Sequence, residues 1–165
     1  MSLERYLHGL WSASWLDWVA AATAGYGLYL CVVLLIVAWV RQRPRGAILP
    51  FALAAFAAAA LDALAGLAYH DQRPFVTLGV APLIAHGGDN GFPSDHSAAA
   101  AFIAIATAWI DPALGIVACV IAVGVGIARL FCLVHLPIDV LVGWAIGAVP
   151  AVVAGVAWRR RAGTR

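Results

Sequence analysis

Six residues of this 165-residue chain have types and spacing suited to chemistry: Arg73, Ser94, His96, Arg129, His135 and Asp139. Arg73 precedes Pro74, Ser94 and His96 stand in GFPSDHS (residues 91–97), and the other three follow one another in ARLFCLVHLPIDV. Planar guanidinium forks match phosphate oxygens bidentately, so two arginines converging from separate helices suggest an anion held between them. Pro93 and Ser94 open a long apolar run. The free N–H groups and dipole of a helix starting there favour the same anion, with the Ser94 hydroxyl as a further donor. His135 and Asp139 are four residues apart, with Pro137 at a plausible first helical position. That spacing lets the carboxylate take one imidazole N–H and leave the other ring nitrogen free. An imidazole so held beside an arginine-bound anion is suited to nucleophilic attack.

The elements that must position these residues are membrane helices. The chain is 64% hydrophobic and 11% charged, far from the balance of a soluble domain. A bilayer core needs roughly 20 helical residues per crossing. By that rule five crossings are expected: Asp17 to Val40, Ala47 to Tyr69, His96 to Ile110, Pro112 to Phe131, and Pro137 to Trp158. The third is short, so it either stands upright or starts before His96. The fold class expected is an all-α membrane protein, a bundle of five transmembrane helices preceded by an interfacial helix over residues 1–16. The N-terminal stretch interleaves Leu3, Tyr6, Leu7, Leu10, Trp11 and Trp15 with polar residues, and Glu4 beside Arg5 does not make the basic start of a removable signal.

Arg41, Arg43 and Arg45 follow the first crossing, and Arg159, Arg160, Arg161 and Arg165 follow the fifth. Both clusters are expected on the cytoplasmic side. The loop from His70 to Asp95 and the turn from Cys132 to Leu136 then share the outer face with Arg73, Ser94, His96, Arg129, His135 and Asp139. Charged and imidazole groups are costly near a bilayer, so their gathering at one face is the functional signal. Asp62, inside the second crossing, is costly too and is expected to support the site by pairing with Arg73 or Arg129 or by bonding within the bundle. The alanine-rich second crossing allows close helix packing, and Gly143 with Gly147 forms a GxxxG pair. That pair serves a homodimer face or, more simply, packing inside one bundle. Cys31, Cys119 and Cys132 have no paired spacing, so neither a disulfide frame nor a metal site is expected.

In order, R-P, then P-S-D-H, then R-x5-H-x3-D resemble the signature of the type-2 phosphatidic acid phosphatase superfamily: K-x6-R-P, P-S-G-H and S-R-x5-H-x3-D. The resemblance covers about residues 66 to 147. It implies a metal-free phosphatase in which His135 attacks phosphorus to form a phosphohistidine and Asp139 orients it. His96 would protonate the leaving oxygen, and Arg73, Ser94 and Arg129 would hold the phosphate. Three positions depart from the pattern: Gly66 stands in place of the lysine, Asp95 in place of the glycine, and Ala128 in place of the serine. Bacterial undecaprenyl pyrophosphate phosphatases of the bacitracin-resistance type share the first two departures, and RPFVTLGVAPLIAHGGDNGFPSDHS is similar to that branch, His86 included. His86 or His70 would replace the lysine's charge if protonated, or be an ordinary loop histidine. Asp95 is expected to turn away from the anion, to cap backbone or hold an arginine.

The resemblance implies one membrane phosphatase domain over residues 1–165: the interfacial helix, the bundle over 17–158 and a basic tail over 159–165. Its substrate would be a polyprenyl diphosphate, cleaved at the outer face of the bacterial cytoplasmic membrane, with the C-terminus cytoplasmic. No cofactor, metal or nucleic-acid partner is expected. Phosphatidylglycerophosphate, phosphatidate or another prenyl-linked phosphate is the alternative substrate. A lipid carrier or scramblase is the non-enzymatic alternative.

Overall fold

Prolines set most of the helix boundaries, since proline cannot continue a helix from within but suits its first turn. The computed structural model describes residues 14–163, with side chains from 15 to 161. Its helices are α1 (Ser14–Gln42), α2 (Ile48–Ala68), α3 (Pro74–Leu78), α4 (Asp95–Ile110), α5 (Pro112–Phe131) and α6 (Pro137–Gly163). Three of them begin on a proline, Pro44 follows α1, and Pro93 precedes α4. Residues 1–13 of the expected interfacial helix lie outside the described residues, and 14–16 belong to the first turn of α1. The 70–95 connection, expected as a loop, contains α3 and an isolated bridge between Gln72 and Asn90.

Among the described residues four helices, α1, α2, α5 and α6, are long and apolar enough to cross a membrane, while α4 has only 16 residues. The protein is a multi-pass, all-helical membrane protein. Its short helix is also its central one: α4 packs on α6 and α5 most extensively, then on α1 and α2. The core is built from small side chains, including Ala24, Ala100, Ala104, Ala118 and Cys31, each at most 1% exposed. Large ones such as Leu67, Phe56 and Trp18 face outward. That distribution suits a bundle in lipid, where close backbone approach replaces hydrophobic drive.

Gly143 and Gly147 both face α4. A Cβ on Gly143 would lie 2.6 Å from the Ser94 carbonyl oxygen, and one on Gly147 would run into the backbone of Ala98. The GxxxG pair is therefore used inside one bundle. Its effect is to press the start of α4 against the start of α6, where the Ser94 N–H donates to the Asp139 carbonyl over 3.1 Å. At the opposite end Asp111 caps α5 by accepting from the Leu114 N–H (3.3 Å) and ties in α1 by accepting from Gln42 Nε2 (3.1 Å).

Candidate active site

Arg73 enters the site from the N-cap of α3, and Pro74 at the first helical position holds its backbone extended. The side chain is 5% exposed. Its Nη1 donates to the Val134 carbonyl at 2.9 Å, its Nη2 to the Asn90 carbonyl at 2.8 Å, and its Nε to Asp89 Oδ1 at 3.0 Å. These bonds tie the 89–90 segment to the turn between α5 and α6. Leu133 in that turn adopts a left-handed backbone (φ +59°), and its carbonyl accepts the Phe75 N–H over 3.0 Å. The turn thus holds both the guanidinium and the start of α3.

His135 follows in the same turn, 4% exposed. Its Nε2 lies 3.4 Å from Arg73 Nη1 and 3.4 Å from Arg129 Nη2. Guanidinium nitrogens only donate, so Nε2 carries the lone pair and Nδ1 the proton. Nδ1–H in turn donates to the Gly91 carbonyl at 2.7 Å. Asp139, expected from spacing alone to take this N–H, has its Oδ2 3.6 Å from Nδ1 and accepts the Leu136 N–H at 2.7 Å. Asp139 caps the start of α6 and sets the field behind the ring, while the hydrogen bond that fixes the tautomer goes to Gly91. The result is an imidazole held by its Nδ1 with Nε2 facing two cations.

Arg129 reaches the same point from the last turn of α5, 3% exposed, and its Nε is buried without a hydrogen-bond partner. Its Nη2 donates to His86 Nε2 at 3.0 Å. His86 therefore carries its proton on Nδ1, which lies 3.2 Å from the Gly87 carbonyl. Burial, then the charges of Arg73 and Arg129, holds His86 below the ordinary value of 6.5. In this arrangement His86 is a neutral acceptor and not a substitute for a lysine's charge. His70 is exposed and stands apart from these contacts.

The other expected residues divide. His96, half-buried in the first turn of α4, has Arg129, Asp95, His135 and His86 as its charged or titratable neighbours. Ser94 is fully buried, and its hydroxyl bonds to Ser97 Oγ at 2.9 Å. Asp95 is exposed and Asp62 half-buried. Both line one cavity of about 400 Å³ between α2 and α4, with alanines 55, 58, 59, 98 and 99. Neither bonds to Arg73 or Arg129, and Asp62 Oδ1 has no partner. The face of α2 that carries Asp62 turns to α4, and three of the five N–H donors of Arg73 go instead to Asp89 and two backbone carbonyls.

Sequence reasoning assigned no role to Asp89, Asn90 or the Gly91 carbonyl. A backbone oxygen leaves no trace in residue type. The Asn-Gly step does mark a turn, but not which carbonyls the turn presents.

A family model described as the PAP2 superfamily matches residues 47–162, more than half of the chain. The chain belongs to the PAP2 superfamily. It is 33% identical over 141 residues to a protein of Bacillus licheniformis named bacitracin transport permease protein BcrC, covering 84% of this chain and 70% of that one. It is 30% identical over 140 residues to the undecaprenyl-diphosphatase BcrC of Bacillus subtilis (strain 168), covering 83% and 72% respectively. Among solved structures it is similar to a transmembrane PAP2 type phosphatidylglycerolphosphate phosphatase from Bacillus subtilis. The TM-score is 0.73 at 26% identity, over 95% of this chain and 84% of that one. The arginine–histidine cluster thus sits in a PAP2 membrane phosphatase, for which a lipid-linked phosphate is a fitting substrate.

Proposed function

We propose that the protein hydrolyses undecaprenyl pyrophosphate to undecaprenyl phosphate and inorganic phosphate through a phosphohistidine on His135. The observation that carries this reading is the position of His135 Nε2, 3.4 Å from a nitrogen of each of two buried arginines. A terminal phosphate held by both guanidinium groups would meet the nitrogen lone pair directly. Nε2 forms a bond to phosphorus as the bond to the bridging oxygen breaks, and His96 gives that oxygen its proton. Water then attacks the phosphohistidine with His96 accepting a proton, and phosphate and free His135 are released. Arg73 and Arg129 stabilise the charge on the transferring phosphoryl oxygens, which is where most of such a rate enhancement arises. Gly91 and Asp139 keep the ring oriented. Ser94 acts through the start of α4 and its bond to Ser97.

The diphosphate substrate is favoured by the name of the Bacillus subtilis relative. A second reading, phosphatidylglycerophosphate, is favoured by the name of the structural neighbour. Phosphate release by the purified protein from undecaprenyl pyrophosphate, farnesyl pyrophosphate, phosphatidylglycerophosphate and phosphatidate separates the two. A preference for the diphosphates is expected, and a preference for a monoester lipid would overturn the substrate assignment. The chemistry is carried by side chains alone, so activity is expected to persist in excess EDTA; strict Mg²⁺ dependence would contradict the scheme.

The same reading makes α4 a fifth crossing. Its helix is about 24 Å long at 1.5 Å per residue, and the extended residues before Asp95 add to it. The site then faces the outside of the bacterial cytoplasmic membrane, with the arginine clusters after α1 and at the end of α6 in the cytoplasm.

A further inference from the structure

We propose that Asn90 is the positioning residue of this site, fixing through one side-chain amide the two backbone carbonyls that orient Arg73 and His135. The inference rests on the reading of His135 as nucleophile and Arg73 as phosphate ligand. An asparagine amide offers two N–H donors and an oxygen with two lone pairs. Asn90 uses all four. Its Nδ2 donates to the Gly66 carbonyl at 2.9 Å and the Tyr69 carbonyl at 3.0 Å, closing the end of α2. Its Oδ1 accepts the Asp71 N–H at 2.9 Å and the Phe92 N–H at 3.0 Å. The side chain therefore joins α2, the segment leading to Arg73 and the segment leading to α4.

Its own backbone and the next residue face the chemistry. The Asn90 carbonyl accepts Arg73 Nη2 at 2.8 Å, and the Gly91 carbonyl accepts His135 Nδ1–H at 2.7 Å. The Gly91 N–H is held in turn by the Asp71 carbonyl at 2.8 Å. Shifting this segment would turn the imidazole and loosen the guanidinium together, although the Asn90 side chain itself touches neither reacting atom.

Gly66 fits the same account. A Cβ there would lie 3.3 Å from the Phe92 carbonyl oxygen and 3.8 Å from Asn90 Nδ2. The 90–93 segment thus lies against α2 at the place where the superfamily pattern has a lysine, and a Cβ there requires that segment to give by a few tenths of an ångström.

The test uses the full-length protein in detergent with undecaprenyl pyrophosphate as substrate, comparing wild type, Asn90→Asp, Asn90→Ala and Gly66→Leu. Asn90→Asp keeps the shape and the acceptors but loses both donors. Gly66→Leu leaves Asn90 in place and favours the helix, so it carries the test if the Asn90 variants do not fold. The expected result is a fall in kcat of about 100-fold, the scale of a misplaced reacting group, for protein that melts within a few degrees of wild type. Nitrogen-15 spectra of histidine-labelled protein should also show His135 losing its single Nδ1–H tautomer. A merely structural role would lower the melting temperature and leave both readouts unchanged. Folded variants with wild-type kcat and an unaltered His135 signal would overturn the proposal. His135→Ala run in parallel keeps the two readings apart: if it retains activity the reading of the site fails, and if only it is inactive the Asn90 proposal alone fails.

Discussion

His135 Nε2 sits where two guanidinium groups converge, and which proton each neighbouring ring carries follows from donors that cannot accept. The same rule makes His86 a neutral acceptor from Arg129, and this has a consequence for pH. Because burial and the two arginines hold His86 below 6.5, the folded protein binds that proton less readily than the unfolded chain. Stability from this group is complete above the unfolded value and is lost as pH falls through the folded one. Melting temperatures measured from about pH 5 to 8 should therefore drop on the acid side in wild type and less so in His86→Gln. Identical acid slopes would remove His86 from the account. That Asp139 lies beside His135 was legible in their spacing, but not that the imidazole N–H goes to the Gly91 carbonyl. Spacing along a helix does not report what a distant loop lays across it.

Between elements, the contact that matters most is α4 on α6. It sets Ser94 and His96 relative to His135 and Asp139, and it depends on glycines with no room for a side chain. Gly147→Leu would overpack the Ala98 backbone and should cost about 2–3 kcal/mol, seen as a lower melting temperature in detergent. Gly25→Ala, at a helical position of α1 with nothing within 4 Å of the added carbon, should stay within about 1 kcal/mol of wild type. Equal melting temperatures for the two variants would contradict the packing described. Four long apolar helices were readable from apolar length and proline placement because lipid demands continuous helices, whereas the third expected crossing is a helix of only 16 residues. The short helix α3 and the segment carrying Asn90 were not. Their conformation is dictated by the end of α2 and the α5–α6 turn, contacts distant in sequence.

For the molecule as a whole, the arginine distribution predicts a direction in the membrane. In a variant lacking Cys31, Cys119 and Cys132, Ala85→Cys on the exposed site loop should react with an impermeant maleimide added to intact cells. Arg160→Cys should react only after permeabilisation, and the reverse pattern would place the site in the cytoplasm. The direction bears on which lipid pool the enzyme meets, whereas the chemistry turns on one nitrogen. The most direct test of that chemistry is an alkaline-quench experiment with undecaprenyl pyrophosphate labelled in its terminal phosphate. Wild type should transiently hold label as an acid-labile, base-stable phosphohistidine, and His135→Ala should hold none and release no phosphate. Phosphate release by His135→Ala at the wild-type rate would contradict the account.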